Sequence, residues 1–243
     1  MTDARDVTTS ACVCAVLPAL DEEGAIGGVV RGIAPFVDRV VVVDNGSTDG
    51  TARVAREAGA DVVSEPRRGY GRAMLAGLAR ARELGADVLL FLDADGSDVP
   101  EEAPLLVDPV RAGEVDLALG ARRRPAAGAM TPVQRFGNWL APLAMRAAIG
   151  ARYTDMPPYK ALSRAALDRL DLTDTGHGFT IQLMLQAHAR GLRVREVDVT
   201  CRPRVAGESK VSGTLRGTVR AGAKILYLVA RHGAEARRTT RHA

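Results

Sequence analysis

Residues 88–95 read Val88-Leu89-Leu90-Phe91-Leu92-Asp93-Ala94-Asp95, an apolar run that stops at two carboxylates, with Gly96 and Ser97 behind them. A short apolar run bounded by a turn signal predicts a strand covered on both faces, and ligands of open α/β sheets gather beyond the carboxyl ends of such strands. Residues i and i+2 of an extended backbone point the same way. Asp93 and Asp95 can therefore face one hard cation, and oxygen-only ligation suits Mg2+ or Mn2+. The competing reading is a helix cap, because Gly96-Ser97-Asp98-Val99-Pro100 also looks like a turn entering a helix. The rest of the chain decides between them.

Around this strand the elements alternate. Residues 12–17 and 39–44 read as strands separated by an amphipathic segment over 26–37, a βαβ unit. A helix over 51–58, a strand over 61–64, a helix over 71–84, the strand ending at Asp93, a helix after Pro100 and a strand over 116–120 follow. Such alternation predicts an α/β fold, with a mostly parallel sheet and helices on both faces. Beyond it lie an arginine-rich loop from Arg122, a helix over 131–149, a helix over 179–190, a strand over 192–200 and an amphipathic stretch over 215–230. The 243 residues suit one large domain. Its expected limits are a tail over 1–10, a domain over 11–230 divided near 121/122, and a basic tail over 231–243.

Composition narrows the class. Hydrophobic residues at 47% and charged residues at 26% are ordinary for a folded soluble protein. No apolar run approaches the roughly 20 residues that span a bilayer, and the acidic N-terminus lacks a signal peptide's basic start. A cytoplasmic protein is expected, with any lipid contact peripheral and at the inner face of the membrane. Cys12, Cys14 and Cys201 suit reduced thiols better than a disulfide framework or a metal cluster. A net charge of +4 favours anionic partners. Basic residues are not interleaved with aromatics, so phosphate groups or an anionic membrane surface are expected in place of nucleic acid.

Each early strand ends in polar chemistry: Pro18-Ala19-Leu20-Asp21-Glu22-Glu23, then Asp44-Asn45-Gly46-Ser47-Thr48-Asp49-Gly50, then Arg67-Arg68-Gly69-Tyr70-Gly71-Arg72, then Asp93-Ala94-Asp95. A dinucleotide fold needs Gly-x-Gly-x-x-Gly after the first strand, and Pro18 with its acids stands there instead. A sugar nucleotidyltransferase would place a Gly- and Arg-rich loop in the same position. Acids at strand ends can accept hydrogen bonds from a base and ribose, while Arg67, Arg68 and Arg72 can meet a diphosphate.

Taken together these motifs resemble the inverting family 2 glycosyltransferases of the GT-A fold, and among them the polyprenyl-phosphate sugar transferases of the dolichol-phosphate mannosyltransferase kind. The likeness runs in order over about residues 12–225. It includes the segment Thr154–Arg164 around Asp155 and the basic loop Arg202-x-x-x-x-Gly207-Glu208-Ser209-Lys210. The resemblance implies that Pro18, Ala19, Asp21, Glu22, Asp44, Gly46, Ser47, Asp49, Arg68, Gly69, Arg72, Asp93 and Ala94 hold the nucleotide sugar. It implies that Asp93, Asp95 and Ser97 surround Mg2+ or Mn2+, and that Asp95, Arg122, Asp155, Gln182, Arg202, Ser209 and Lys210 serve the reaction.

Three positions depart from the family pattern: Asp21 where Asn is common, Ser97 where Gln is frequent, and Gln182 where relatives carry Glu. A hydroxyl nucleophile benefits from a general base, which Gln cannot be. A phosphate monoester, with a second pKa of about 6, is already an oxyanion at neutral pH. The expected reaction is metal-dependent inverting transfer of a sugar, from a GDP-mannose or UDP-glucose type of donor, to a polyprenyl phosphate. A soluble transferase acting on a hydroxyl of a small metabolite is the first alternative. A catalytically silent nucleotide-sugar-binding protein is the second.

Overall fold

The computed structural model describes residues 11–123, 125–206 and 215–240. β1 (Val13–Ala19), α1 (Glu23–Ile33), β2 (Arg39–Asp44), α2 (Thr51–Glu57), β3 (Asp61–Ser64), α3 (Tyr70–Glu83) and β4 (Val88–Phe91) form the first half. α4 (Ala103–Arg111), β5 (Leu117–Ala121), α5 (Pro132–Ile149), β6 (Lys160–Ser163), α6 (Arg164–Leu167), α7 (Phe179–Ala189), β7 (Val194–Asp198) and α8 (Leu215–Thr240) form the second. The strands make one sheet in the order β3-β2-β1-β4-β6-β5-β7.

The α/β expectation holds. β1 pairs in parallel with β2 and β4, β2 with β3, and β5 with β7, while β6 alone runs antiparallel, between β4 and β5. Because β6 is reversed, its first residue, Lys160, sits level with Phe91 at the end of β4 and with Leu119 in β5. All chain segments at this edge therefore converge: the ends of six strands and the start of the seventh.

Strand alternation sorts the core into two layers. Cys14 and Val16 of β1 pack with Val41, Val43, Met74 of α3, Met145 of α5 and Leu183 of α7. Val13, Ala15 and Leu17 face the other side, against Ile26 and Ile33 of α1, Ala55 of α2 and Leu106 of α4. Gly77 is required where α3 crosses the sheet, since a Cβ there would lie 2.4 Å from Val16 Cγ1.

Three differences from the sequence reading have physical causes. β4 ends at Phe91, two residues short of Asp93, because the Asp93 N–H donates to Asp98 Oδ2 at 2.9 Å and leaves the ladder. The segment around Asp155, for which the sequence reading gives no strand, leads into a strand of the sheet, β6, a short element entered from Pro157-Pro158 with a lysine in it. The expected tail over 231–243 is helical as far as Thr240: α8 continues because His232 is buried and meets Asp174 Oδ2 at 3.1 Å. The three cysteines are free thiols, and burial pushes Cys14 up to about 12. Among the described residues, no helix is long and apolar enough to cross a membrane.

Candidate active site

The converging strand ends enclose a cavity of about 490 Å3. Eight of the residues expected to bind the donor or metal line it: Pro18, Ala19 and Glu22 after β1, Arg68 and Gly69 before α3, and Asp93, Ala94 and Asp95 after β4. Asn45, Tyr70, Gln134, His177 and Arg204 complete the polar part of the wall.

The remaining acids of the first two loops brace that wall. Asp21 has φ 53°, a left-handed conformation that Asp and Asn tolerate better than other side chains. Its Oδ1 accepts from the Thr48 N–H at 2.7 Å, and its own N–H donates to Ser47 Oγ at 3.0 Å. Asn and Asp are thus equivalent here in conformation and as acceptors, so this departure from the family pattern leaves the loop intact. Asp44 Oδ1 accepts from the Ser47 N–H at 3.1 Å, and Gly46 takes φ 80° between them. Asp49 accepts from the Thr51 and Glu23 N–H groups; partial burial opposes its ionisation, but the Thr51 hydrogen bonds hold its pKa below the ordinary value. Asp21, Asp44, Gly46, Ser47 and Asp49 are not on the cavity wall.

Asn45 fixes the neighbouring loop. Its Nδ2 donates to the carbonyls of Glu65 at 2.8 Å and Arg67 at 3.0 Å, and its Oδ1 accepts from the Gly69 N–H at 2.8 Å. Arg68 and Gly69 are thereby held against the cavity. Arg67 instead pairs with Glu65 at 2.9 Å on the surface, and Arg72 donates its backbone N–H to the Thr175 carbonyl.

A second loop, residues 173–178, closes the far side. The Gly71 N–H donates to Gly176 O at 3.0 Å, and a Cβ on Gly71 would lie 2.0 Å from Asp174 O. Asp174 Oδ1 accepts from the N–H groups of Gly176 and Gly178, presenting His177 to the cavity. Gln182 is buried beneath this loop: its Oε1 accepts from the Thr173 and Asp174 N–H groups, both at 2.9 Å, and its Nε2 donates to Thr173 Oγ1. Position 182 is engaged with the loop and does not line the cavity, so Gln in place of Glu there does not favour a phosphate over a hydroxyl acceptor.

The acidic loop after β4 carries the strongest electrostatics. Burial, then the nearby Asp95 charge, push Asp93 up to about 6. Burial and the Asp93 charge push Asp98 up to about 8, and Asp98 Oδ1 is buried with no hydrogen-bond partner. Asp95 Oδ1 accepts from the Ser97 N–H, and Oδ2 lies 3.1 Å from Arg204 Nη1. Arg204 also pairs with Glu22 through Nη2. Two crowded carboxylates with oxygen-only donors, one destabilised as an anion, are the donor chemistry a hard divalent ion satisfies. Among the described residues no group of three or more His, Cys, Asp or Glu side chains is placed to hold a metal, so the candidate set is the pair Asp93 and Asp95. Ser97 takes part through its backbone, donating to Asp95 and accepting from the Arg202 N–H at 2.9 Å.

The basic loop delivers a different arginine from the one expected. Arg202 is exposed and off the cavity, whereas Arg204, two residues on, lines it. Ser209 and Lys210 lie outside the described residues. Arg122 and Asp155 form a buried bidentate pair, Nε to Oδ2 at 2.8 Å and Nη2 to Oδ1 at 3.1 Å. Asp155 also accepts from the Arg122 and Met156 N–H groups; although burial opposes its ionisation, the Arg122 contacts hold its pKa below the ordinary range. With its oxygens so occupied it is a weak proton acceptor, and neither partner lines the cavity. Lys160 is pushed down to about 8 by burial, its Nζ donating to the carbonyls of Pro157 and Pro158. Arg122 and Lys160 place positive charge behind Asp93.

Asn45, Tyr70 and Arg204 sit inside motifs that the sequence displays, but their neighbours were the more obvious candidates. Gln134 and His177 come from distant segments with no local signal.

Comparison with known proteins matches this geometry. The sequence profile described as glycosyl transferase family 2 matches residues 14–170. An uncharacterized glycosyltransferase of Mycobacterium bovis is 42% identical over 85% of this chain and 93% of its own length. The undecaprenyl-phosphate mannosyltransferase of Micrococcus luteus is 33% identical over 84% of this chain and 89% of its own. The crystal structure of Mycobacterium tuberculosis glucosyl-3-phosphoglycerate synthase, in complex with Mn2+, UDP-glucose and phosphoglyceric acid, superposes with a TM-score of 0.72 at 27% identity, covering 92% of this chain and 80% of that one. The cavity at the carboxyl edge, the acid pair after β4 and these likenesses together establish that the chain is a GT-A-fold glycosyltransferase and belongs to glycosyl transferase family 2.

Proposed function

We propose that the cavity receives a nucleotide diphosphate sugar and that the enzyme passes its sugar, with inversion, to the phosphate of a polyprenyl phosphate. In this reading Pro18, Ala19, Glu22 and Asn45 flank the nucleoside, Arg68 and Arg204 meet phosphate oxygens, and Asp93 and Asp95 hold Mg2+ or Mn2+. When bound, that ion would neutralise charge building on the diphosphate as it leaves. The chain's own contribution is to orient the donor between the β1 and β4 loops, and to aim fixed cations where negative charge develops.

The observation that carries the acceptor assignment is the state of the cavity's carboxylates. Asp95 and Glu22 are both paired with Arg204, and Asp93 belongs to the proposed metal pair, so the wall offers no separate carboxylate as a general base and leaves His177 as the base a hydroxyl acceptor would use. A phosphate monoester brings its own oxyanion and needs none. The Micrococcus luteus relative, named for an undecaprenyl-phosphate acceptor, supports the same reading.

A second reading has an observation of its own. The glucosyl-3-phosphoglycerate synthase neighbour holds phosphoglyceric acid, a small soluble phosphorylated compound. Labelled sugar supplied as GDP- and UDP-donors with Mn2+ should move to polyprenyl phosphate and not to the matching polyprenol. Labelling of 3-phosphoglycerate with none in the lipid would establish the second reading.

A further inference from the structure

Two helices present an apolar surface that the reaction site does not use. Among the described residues eight large hydrophobic side chains are exposed, and six of them belong to α5 and α8: Phe136, Trp139, Leu143, Val219, Leu226 and Tyr227. Phe136, Trp139 and Leu143 follow the i, i+3, i+7 spacing of one helical face. Trp139 and Tyr227 are each 62% exposed, an unusual state for such large rings on a monomer's surface.

The two faces adjoin. α5 and α8 cross at small residues: a Cβ on Gly222 would lie 3.1 Å from Phe136 Cε1, and one on Gly137 would lie 3.4 Å from Ile225 Cδ1. Phe136 in turn meets Trp139, with ring centroids 6.0 Å apart. The close crossing brings the aromatic stripe of α5 beside the apolar stripe of α8.

The charge around the patch selects its occupant. Arg135, Arg146, Lys224 and Arg231 are exposed on the same helices. α5 contains no acid, and α8 contains a single one, Glu235, against six Lys and Arg. These two helices carry eight of the chain's 33 Lys and Arg and one of its 29 acids, so the remainder holds fewer cations than acids. A face that is apolar with a basic rim is complementary to an anionic bilayer, whereas a second copy of the chain would bring the same positive charge against it.

The patch also borders the reaction site. Gln134 in the first turn of α5 lines the donor cavity, two residues from Phe136. The 173–178 loop, which contributes His177 to that cavity, forms a smaller one of about 230 Å3 with Lys224, Leu228 and Arg231 of α8.

We propose that the outer faces of α5 and α8 form one docking surface for an anionic lipid bilayer, with Trp139 seated at headgroup level. The proposal rests on the lipid-phosphate reading of the acceptor, since it brings the cavity mouth to the leaflet holding that phosphate. Trp139 is the chain's single tryptophan, so its emission reports the contact directly.

The test titrates the full chain with phosphatidylglycerol-containing vesicles and with pure phosphatidylcholine vesicles, reading Trp139 emission and co-sedimentation. Docking predicts a shift of emission to shorter wavelength, and binding that needs the anionic lipid and weakens with salt. Leu143→Glu with Leu226→Glu keeps the reporter and should lower partitioning at least ~10-fold, with nucleotide binding unchanged as the control for folding. Unchanged emission with no co-sedimentation would overturn the proposal, as would a dimer in sedimentation velocity that this variant dissociates. Transfer to polyprenyl phosphate in detergent separates the two readings. Transfer there without vesicle binding defeats docking alone, and vesicle binding with no lipid labelled in either medium defeats the acceptor assignment alone.

Discussion

Arg204 Nη1 lies 3.1 Å from Asp95 Oδ2, so the loop after β7 is fastened to the acidic loop that follows β4. The Val205 N–H reinforces the contact by donating to the Asp95 carbonyl at 3.0 Å. One guanidinium thus touches two carboxylates of the cavity wall, Glu22 and Asp95, in a fork geometry that lysine does not reproduce. Arg204→Ala should lower kcat/KM by about 100-fold, the scale expected when a charged hydrogen-bonding group is lost from such a site. Arg204→Lys should recover only part of that loss. Steady-state kinetics check both, and an Arg204→Ala enzyme with wild-type kcat/KM would remove Arg204 from the site.

Protons should compete with the divalent ion. Asp93 is raised to about 6 by burial and the Asp95 charge, so its carboxylate gains a proton as pH falls through 6, and Mn2+ affinity should drop with it. The linkage for folding has the same origin. Between the unfolded carboxyl pKa of about 4 and the raised folded values, about 6 for Asp93 and about 8 for Asp98, these two carboxyls hold more protons in the folded chain than in the unfolded one. Stability of the metal-free chain should therefore fall as pH rises from 5 to 8. Melting curves across that range test the slope, and Asp98→Asn should flatten it.

The Arg122–Asp155 pair is buried and bidentate, and removing one partner leaves the other charge uncompensated. Asp155→Ala should destabilise the fold by about 3–5 kcal/mol, measured by denaturant titration. A variant of unchanged stability that had lost only turnover would instead make Asp155 a chemical participant.

Gly71→Ala should be damaging although it adds one methyl. Its Cβ would lie 2.0 Å from the Asp174 carbonyl, forcing the start of α3 away from the 173–178 loop. A cost of about 1–3 kcal/mol is expected. Because that loop presents His177 and α3 presents Tyr70, donor KM should rise as well. A fully stable Gly71→Ala protein with native KM would contradict this packing.

Legibility in the sequence followed from local chemistry. β2 and β3 fall where valine-rich runs predict them, and Asp93 with Asp95 reaches the cavity because a buried strand must end there. β6 escaped notice because it is four residues long, with Ala161 and Leu162 as its apolar residues, and begins with Lys160, whose charge is accommodated by two proline carbonyls. Long-range partners were hidden for a different reason. Gln182 reads as a displaced catalytic acid in one dimension and as a clamp on Thr173 and Asp174 in three. Arg202 and Arg204 are indistinguishable by residue type, and only the fold of the loop over Ser97 and Asp95 turns one outward and the other inward. The helical continuation past residue 230 depends on His232 meeting Asp174, a contact no local pattern announces.

In the proposed function the cavity between the β1 and β4 loops is a metal-assisted nucleotide-sugar site built on Asp93 and Asp95. Calorimetric titration of GDP and UDP, with Mn2+ and with chelator, into the wild-type chain and Asp95→Asn tests it most directly. One nucleotide should bind with Mn2+, and its affinity should fall by at least ~10-fold both on chelation and in the variant. Equal affinity with and without metal, or an Asp95→Asn protein that keeps full metal-dependent binding, would contradict it.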